Sequence, residues 1–308
     1  MAFENVILVV NKTRLEQLIE RFNTKAQARF YIEHANGNFD EYEAEHTTFY
    51  KSLEKVTKKI STRGKWKMIE RKFLPNFLFS EKDAIVVLGQ DGLVANTAKY
   101  AKGLPVLGVN PDPQRYDGIL LPFHPENLET GLIHVLENNF TSKRVTMAQA
   151  KTQDGQILLA FNDLFIGPSS HTSARYKITF NNLAEHQSSS GIIVSTGAGS
   201  TGWLSSVINM SNGINNAFHH NKTSLNIRMK WDEDKLAFVV REPFQSKHSS
   251  ISMTAGMIYP NNKIILESHM PFNGVIFSDG IESDFLQFNS GCIAEISIAN
   301  EKANIVQL

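Results

Sequence analysis

The sequence predicts two domains: an α/β N-terminal domain with a Rossmann-like parallel sheet, and an all-β, sandwich-like C-terminal domain. The chain has 308 residues, and at roughly 150 residues per domain this length suggests two domains. Strand patterns alternate with helical patterns up to about residue 140, which is typical of a parallel sheet with helices on its faces. Short strand patterns then follow one another, separated by Asn, Gly, Ser and Pro, which favours an antiparallel sandwich. We therefore place the domains at 1–140 and 141–308, with the last strand free to return to the N-terminal domain.

Local patterns justify each element of the N-terminal half. Residues 6–10 are too few for a helix and rich in β-branched side chains, which predicts a buried strand. Thr13 followed by Glu16 predicts a capping box at the start of the next helix. Pro111 and Pro113 lack a backbone N–H and predict a loop. The other predicted elements are helices over 41–59 and 93–102 and strands over 84–88 and 105–109.

The C-terminal half is predicted to contain mostly short strands. Two helical stretches, over 202–210 and 212–220, interrupt them. The predicted strands cover residues 157–161, 174–180, 191–196, 236–240, 250–254, 263–267, 274–277 and 293–298.

Composition excludes several classes of protein. Lys plus Arg and Asp plus Glu both number 31, so the chain has no global charge to attract nucleic acid or an anionic membrane. Cys292 is the one cysteine and cannot form an internal disulfide, which fits a reducing compartment. Residues 6–10 are too short an apolar run for a signal peptide. His219 and His220 are adjacent and no HExxH motif occurs, so we predict no dedicated metal site. We expect a cytoplasmic protein without a membrane span.

The first candidate site is formed by Gly89, Gln90, Asp91 and Gly92, between a predicted strand and a predicted helix. Backbone N–H groups at such a turn bind phosphate. A carboxylate repels phosphate unless it accepts a proton or holds Mg²⁺, so Asp91 indicates catalysis. The alternative is an ordinary turn in which Asp91 caps the helix.

Two further candidates lie in the C-terminal half. Asn162 and Asp163 follow an apolar run and can bind a ribose or a base edge, although a simple turn is the commoner explanation for such a pair. Residues 195–203 (STGAGSTGW) combine glycines and hydroxyls before a helix, which favours phosphate or ribose binding.

The same segment is similar to a nucleophile elbow. Ser200 would then be the nucleophile of a serine hydrolase. Ala198 occupies the first glycine position of G-x-S-x-G, and this weakens the interpretation. The remaining triad candidates are Asp232, Asp234, His248 and His269.

Taken in order, these motifs resemble the NAD kinase family, and most closely its mitochondrial-type branch. The resemblance covers essentially the whole chain. Residues 89–93 (GQDGL) stand where the family has GGDGT, residues 108–115 (GVNPDPQR) and 118–120 (GIL) resemble GVNTDPxR and GxL, and residues 162–163 match its N-E/D motif. Residues 189–191 and 199–203 match the glycine-rich stretch, and residues 9–14, 241–243 and 278–280 have counterparts.

The resemblance implies ATP- and Mg²⁺-dependent phosphorylation of NAD to NADP. Asp91 would activate the 2′-hydroxyl of the adenosine ribose. The residues implied in nucleotide binding are Gly89, Gln90, Gly92, Asn110, Asn162, Asp163, Ser200, Thr201 and Trp203. The resemblance also implies a homodimer or a higher homo-oligomer.

Two alternatives remain open on the sequence. Gln90 replaces a motif glycine, and any backbone conformation with positive φ would be costly there. Leu93 replaces a threonine whose hydroxyl could bind phosphate. The chain could therefore be a kinase of another hydroxyl, on a sugar, nucleoside or lipid, or a nucleotide sensor with weakened catalysis.

Overall fold

A computed structural model describes residues 3–218 and 224–308. The chain divides into two compact units: Met1–Lys143 with Asn304–Leu308, and Arg144–Ala303. Unit 1 therefore contains the last strand of the chain. No helix in the described ranges is long and apolar enough to cross a membrane.

Unit 1 is an α/β unit whose sheet has the strand order β2-β1-β3-β4-β18-β5. Parallel pairing joins β1 to β2 and β3, and joins β4 to β3 and β18. The elements are β1 Asn5–Val10, α1 Arg14–Phe22, α2 Lys25–His34, α3 Phe39–Ser61, β2 Lys65–Glu70, β3 Asp83–Leu88, α4 Asp91–Ala98, β4 Pro105–Val109, α5 Leu128–Leu136, β5 Ser142–Val145 and β18 Ala303–Val306.

Local chemistry accounts for the well-predicted parts of unit 1. Thr13 and Glu16 form the predicted capping box, in which each side chain bonds the backbone N–H of the other. All six residues of β3 are buried, because helices cover both faces of the parallel sheet. Helix α4 begins at Asp91 and ends at Ala98, so the predicted helix over 93–102 is correct in type and shifted in its bounds.

Unit 2 contains two antiparallel sheets. Their strand orders are β10-β9-β14-β17-β6-β7 and β13-β12-β11-β8-β15-β16. Buried side chains from both sheets, such as Tyr176 and Phe238, form one core, as in a sandwich. The strands are β6 Ala148–Thr152, β7 Ile157–Ala160, β8 Asp163–Pro168, β9 Ala174–Phe180, β10 Leu183–Ser189, β11 Ile192–Ser195, β12 Leu236–Val240, β13 Ala255–Ile258, β14 Ile264–Ser268, β15 Gly274–Ser278, β16 Ile281–Gln287 and β17 Ile293–Ile298.

One helix, α6 Trp203–Phe218, packs on the second sheet of unit 2. Leu204 and Ile208 contact Ala237 of β12 in a small apolar cluster. The two predicted helical stretches are therefore one helix in the described residues, and positions 219 and 220 of the second stretch lie outside them.

The predicted strand over 250–254 is wrong. The carboxylate of Glu185 accepts the backbone N–H groups of Ser252 and Met253, so these donors are not available to a strand partner. The strand begins instead at Ala255. Side-chain capture of backbone donors is a tertiary effect that the local pattern does not contain.

Candidate active site

Asp91 is the first residue of α4 and follows β3 after the two-residue turn of Gly89 and Gln90. Its Oδ1 accepts the backbone N–H of Leu120 at 2.6 Å. Gln90, and not Asp91, is the N-cap residue, and its carbonyl accepts the N–H of Leu93 at 2.9 Å. The interpretation of Asp91 as a helix cap is therefore wrong. Its half-buried carboxylate lies at the helix end that favours negative charge.

Gln90 fits its position without backbone strain. Its φ is −97° and its ψ is 164°, which is extended backbone open to any side chain. The side chain hydrogen-bonds Tyr116, and burial raises the pKa of the Tyr116 hydroxyl above its ordinary value. The replacement of the motif glycine therefore carries no conformational penalty here.

Leu93 packs under the turn. It is 5% exposed, and a Cβ added at Gly89 would lie 2.9 Å from its Cδ2. Gly92 is exposed, and a Cβ added there would meet no atom within 4 Å. The turn thus presents open backbone at Gly92, while Leu93 fills the space beneath Gly89.

Asn110 builds the loop that delivers Leu120 to Asp91. It is 2% exposed, its Nδ2 donates to the Tyr116 carbonyl at 3.0 Å, and its Oδ1 accepts the N–H of Asp112 at 3.0 Å. Gly118, with φ of +69°, lies against this amide, where a Cβ would be 2.7 Å from Nδ2. Both ends of the Asn110 amide are thus used inside the loop. Its contact with a nucleotide stays a prediction.

The glycine-rich segment of unit 2 is held tightly against the turn before β8. Thr196 Oγ1 donates to the Phe161 carbonyl at 2.6 Å and accepts the N–H of Gly199 at 3.2 Å. A Cβ at Gly199 would lie 2.2 Å from the Asn162 carbonyl oxygen, and one at Gly197 would lie 2.0 Å from the Lys230 oxygen. Only glycine allows this approach of two backbones.

Two hydroxyls of this segment differ in accessibility. Ser200 is 3% exposed, and its Oγ donates to the Gly197 carbonyl at 2.8 Å. Thr201 is exposed in the short 3₁₀ turn Gly199–Thr201 that precedes α6. Ser200 therefore shapes the turn, while Thr201 is open to a ligand.

The serine hydrolase interpretation is wrong. The Ser200 hydroxyl is bonded to a backbone carbonyl and not to an imidazole. Asp234 accepts from Thr146 and forms an ion pair with Lys302. His269 lies beside Glu267. Within residues 3–218 and 224–308, the side chains of Ser200, Asp234 and His269 thus contact groups outside a catalytic triad.

Asn162 and Asp163 are positioned by a residue that the sequence interpretation did not select, Asp279. Its Oδ1 accepts the N–H of Asn162 at 2.6 Å, and its Oδ2 accepts the N–H of Phe161 at 3.1 Å. The Asp279 backbone N–H donates to the Asp163 carbonyl at 3.0 Å. Asp279 has φ of 54°, in the turn between β15 and β16. The Asp-Gly pair at 279–280 was the available signal, since it marks a turn.

Burial and, to a smaller extent, the negative charge of Asp279 raise the pKa of Asp163 to about 7. The Asp163 Oδ1 is buried and has no hydrogen-bond partner in the described part of the chain. A carboxyl group without its own partner is costly to the fold and available to a ligand. This is the most perturbed group among the predicted site residues.

Trp203 lies on an aromatic surface of unit 2. Its ring stacks on the Phe165 ring, with the centroids 5.6 Å apart and the planes inclined by 10°. The Phe277 ring lies on the same surface, with its centroid 4.9 Å from that of Phe165. The Arg241 guanidinium lies 5.5 Å from the Trp203 centroid, within reach of a cation–π interaction. These side chains line an open groove of about 770 Å³. Phe165 lies on β8 and Arg241 directly follows β12, and no local pattern connects them.

The structure therefore assembles the predicted residues in two groups, one in each unit. In unit 1 the turn at 89–92 is joined to the Asn110 loop through Leu120. In unit 2 the turn at 162–163 is joined to the segment over 196–201 and to Asp279.

Solved structures share this fold. Yeast NADH kinase complexed with NADH aligns with 100% of this chain and 84% of its own, with a TM-score of 0.60 and 14% identity. An NAD kinase from Archaeoglobus fulgidus in complex with ATP aligns with 98% of this chain and 93% of its own, with a TM-score of 0.55 and 17% identity. The class of fold is that of these kinases, which confirms the predicted α/β and all-β architecture.

Curated relatives are similar over part of the chain. The NAD kinase of Chlorobaculum tepidum is 28% identical over 126 residues, which is 39% of this chain and 43% of the relative. The chain spans less than half the length of the curated relatives it matches. No family model matches the chain. The chain is thus similar to curated NAD kinases over part of its length, and it shares the fold of the two solved kinases over nearly all of it.

Proposed function

We propose that the protein transfers a phosphoryl group from ATP to the 2′-hydroxyl of the adenosine ribose of NAD and releases NADP. The observation that carries the proposal is the Asp91 carboxylate, held in the first turn of α4 beside the open backbone of Gly92. Phosphoryl transfer needs an oriented hydroxyl, neutralised phosphate charge and little further covalent chemistry. One positioned acid next to exposed backbone suits that reaction.

Asp91 is proposed as the general base. The Leu120 N–H fixes one of its oxygens at 2.6 Å, which sets the direction of the other. That second Asp91 oxygen would accept the proton of the ribose 2′-hydroxyl while the ribose oxygen attacks the phosphorus. The α4 N-terminus and Gly92 would approach phosphate oxygens through backbone N–H groups.

The dinucleotide is proposed to contact unit 2 through the turn that Asp279 organises. Asn162 offers an amide, and Asp163 offers the carboxyl group whose Oδ1 lacks a partner in the described residues. A ribose diol supplies donors to such an oxygen. Thr201 and Trp203 would contribute a hydroxyl and an aromatic face, and Ser200 would hold the turn that presents them.

Mg²⁺ fits the residues present as an ion brought by the nucleotide. No group of three or more His, Cys, Asp and Glu side chains suited to a metal occurs in the described residues. Mg²⁺ at kinase sites is held by one or two carboxylates together with substrate phosphates. Asp91 is the carboxylate available for that contact, and the ion would neutralise charge on the transferring phosphate.

An acceptor panel tests this function against the related kinases. The protein is incubated with ATP that carries a radiolabelled γ-phosphate and with one acceptor at a time: NAD, NADH, adenosine, a hexose or diacylglycerol. We expect label on the dinucleotides and less than about 1% of that rate on the others. Transfer to a sugar, nucleoside or lipid at a higher rate than to NAD would overturn the assignment of the substrate. Binding of ATP without transfer to any acceptor would favour a nucleotide sensor.

The substitutions in the motif turn are proposed to preserve activity. The double variant Gln90→Gly, Leu93→Thr is expected to change kcat/KM for NAD by less than about threefold, because the Gln90 backbone is unstrained and Leu93 faces the interior. It should lower the free energy of unfolding by about 2 kcal/mol, since a buried Leu is lost. Urea unfolding and steady-state kinetics measure both quantities, with Gln90→Gly alone as the control. A tenfold gain in kcat/KM would mean that Gln90 and Leu93 weaken catalysis in the native protein.

Membership of the mitochondrial-type branch is proposed from residues 9–14 and 108–115. In the first segment, Thr13 forms the capping box and Arg14 pairs with Glu45 on α3. In the second, Asn110 shapes the loop that carries Leu120, together with Gly118 three residues beyond the segment. These residues thus have structural roles in unit 1. A cytoplasmic location is proposed from the single cysteine.

A homodimer or larger homo-oligomer is proposed because unit 2 exposes sheet edges at β7, β13 and β16, and such edges need cover. Light scattering at micromolar concentration should return at least twice the chain mass of 34.6 kDa. A value equal to the chain mass over the whole concentration range would contradict this proposal.

A further inference from the structure

A second groove of unit 2 lies along β10, away from the proposed nucleotide residues. Its volume is about 950 Å³, the size of pockets that take a small organic ligand. Five of its lining residues are basic or contain an imidazole: Arg175, His186, Lys247, His248 and His269.

Backbone hydrogen bonds hold these side chains on one surface. The segment that follows β12 runs along the edge of β10, where Phe244 N–H donates to the Ser188 carbonyl at 2.8 Å and Ser250 N–H donates to the His186 carbonyl at 2.9 Å. The His269 N–H donates to the Arg175 carbonyl at 2.8 Å. Three separate segments of the chain are thus fixed around the groove by β-type bonding.

The side chains of Arg175 and Lys247 line the groove together with one carboxylate, that of Glu185. Arg175 and Lys247 form no ion pair within the described residues. The His186 and His269 rings lie with their centroids 5.2 Å apart on the same groove. Arginine and lysine side chains that converge on one groove outside ion pairs are typical of phosphate sites.

The acidic residues near the groove are already engaged. The Glu185 carboxylate accepts from Met253 N–H at 2.9 Å, from Ser252 N–H at 3.2 Å and from Gln187 Nε2 at 2.6 Å. These bonds lower the pKa of Glu185, although burial opposes them. Glu267 lies 3.7 Å from His269. The free groups that face the groove are therefore mainly donors.

We propose that this groove binds a phosphate-bearing small molecule, separately from the nucleotides of the kinase reaction. Arg175 would give a bidentate contact, and Lys247 and the imidazoles would supply further N–H donors to phosphate oxygens. The proposal rests on the groove alone and does not depend on the kinase activity. The ligand class includes inorganic pyrophosphate and phosphorylated nucleotides.

The imidazole signals of His186 and His269 in ¹H–¹³C NMR spectra report directly on this groove. Titration of the full-length protein with inorganic pyrophosphate is expected to shift both signals in a saturable way. The variant Arg175→Gln, Lys247→Gln should need at least tenfold more pyrophosphate. The matched control Lys58→Gln, Lys151→Gln removes the same charge from exposed positions and should titrate as the native protein does within twofold.

A second titration with NADP separates the possible sources of the phosphate. If NADP saturates the shift of the two signals at a tenfold lower concentration than pyrophosphate does, the ligand is a nucleotide. If the two compounds saturate it at equal concentrations, the groove recognises the phosphate group alone. Either result supports the site. The proposal is overturned if neither compound shifts the two signals in the native protein up to about 10 mM, or if the groove variant and the control variant titrate equally.

Discussion

Asp91→Asn is expected to lower kcat for NAD phosphorylation by at least about 10³-fold while leaving nucleotide binding within about tenfold. Asparagine keeps an oxygen that can accept the Leu120 N–H at 2.6 Å, so the loop stays in place. It cannot accept the proton of the attacking hydroxyl, so the main loss is proton transfer in the transition state. Steady-state kinetics and ATP titration calorimetry measure the two quantities separately.

The control for this substitution is Asp40→Asn, an exposed aspartate in the first turn of α3. It removes the same charge from the first turn of another helix and should retain the native kcat. If Asp91→Asn keeps a near-native kcat, then Asp91 serves only to hold Leu120 and the proposed mechanism is wrong. If it instead loses ATP affinity by more than about 100-fold, its main role is in binding.

Asp163→Asn is expected to stabilise the protein at pH 8 and to weaken NAD binding by at least tenfold. Because the pKa of Asp163 is raised to about 7, the folded state retains a proton that the unfolded state releases above about pH 4. The stability of the native protein therefore falls as pH rises from 4 to 7 and is constant above that range. The full pKa shift corresponds to at most about 4 kcal/mol in the free energy of unfolding. We expect Asp163→Asn to gain about 2 kcal/mol at pH 8, because Asp279 shares the charge.

Urea unfolding at pH 5 and pH 8 tests this prediction. The gain of the variant should be about a third of its full value at pH 5 and complete at pH 8. The exposed Asp154 is the matched control in the same unit, since a hydrogen bond from Thr152 lowers its pKa, and Asp154→Asn should give no gain at pH 8. Equal stability of Asp163→Asn and the native protein at both pH values would show that no charge is buried there.

The fold was predictable where local pattern and tertiary packing agree. The capping box at Thr13, the buried strand β3 and the eight-residue helix after Gln90 follow from short-range chemistry that the fold also uses. Strand β10 was missed because an edge strand with polar side chains has no apolar alternation. Strand β2 was missed for the same reason, since four of its six residues are exposed.

The sequence predicted which motifs form the candidate site, but not which distant residues contact them. Glycine spacing singled out residues 89–92 and 195–203, and close backbone approach at Gly197 and Gly199 explains two of those glycines. Leu120 and Asp279 act from 29 and 117 residues away, on Asp91 and Asn162 respectively. Such contacts depend on the sheet topology, which no local window encodes. Whether Gln90 carries backbone strain could not be predicted, because only the structure reveals its φ.

The most direct test of the proposed function is a ³¹P NMR assay of the purified protein with ATP, Mg²⁺ and NAD. The native protein should convert NAD to a dinucleotide that carries a new 2′-phosphate, with ADP formed in equal amount, and Asp91→Asn should form neither. Hydrolysis of ATP without a 2′-phosphate on NAD, or full product formation by Asp91→Asn, would contradict the proposal that this chain phosphorylates NAD through Asp91.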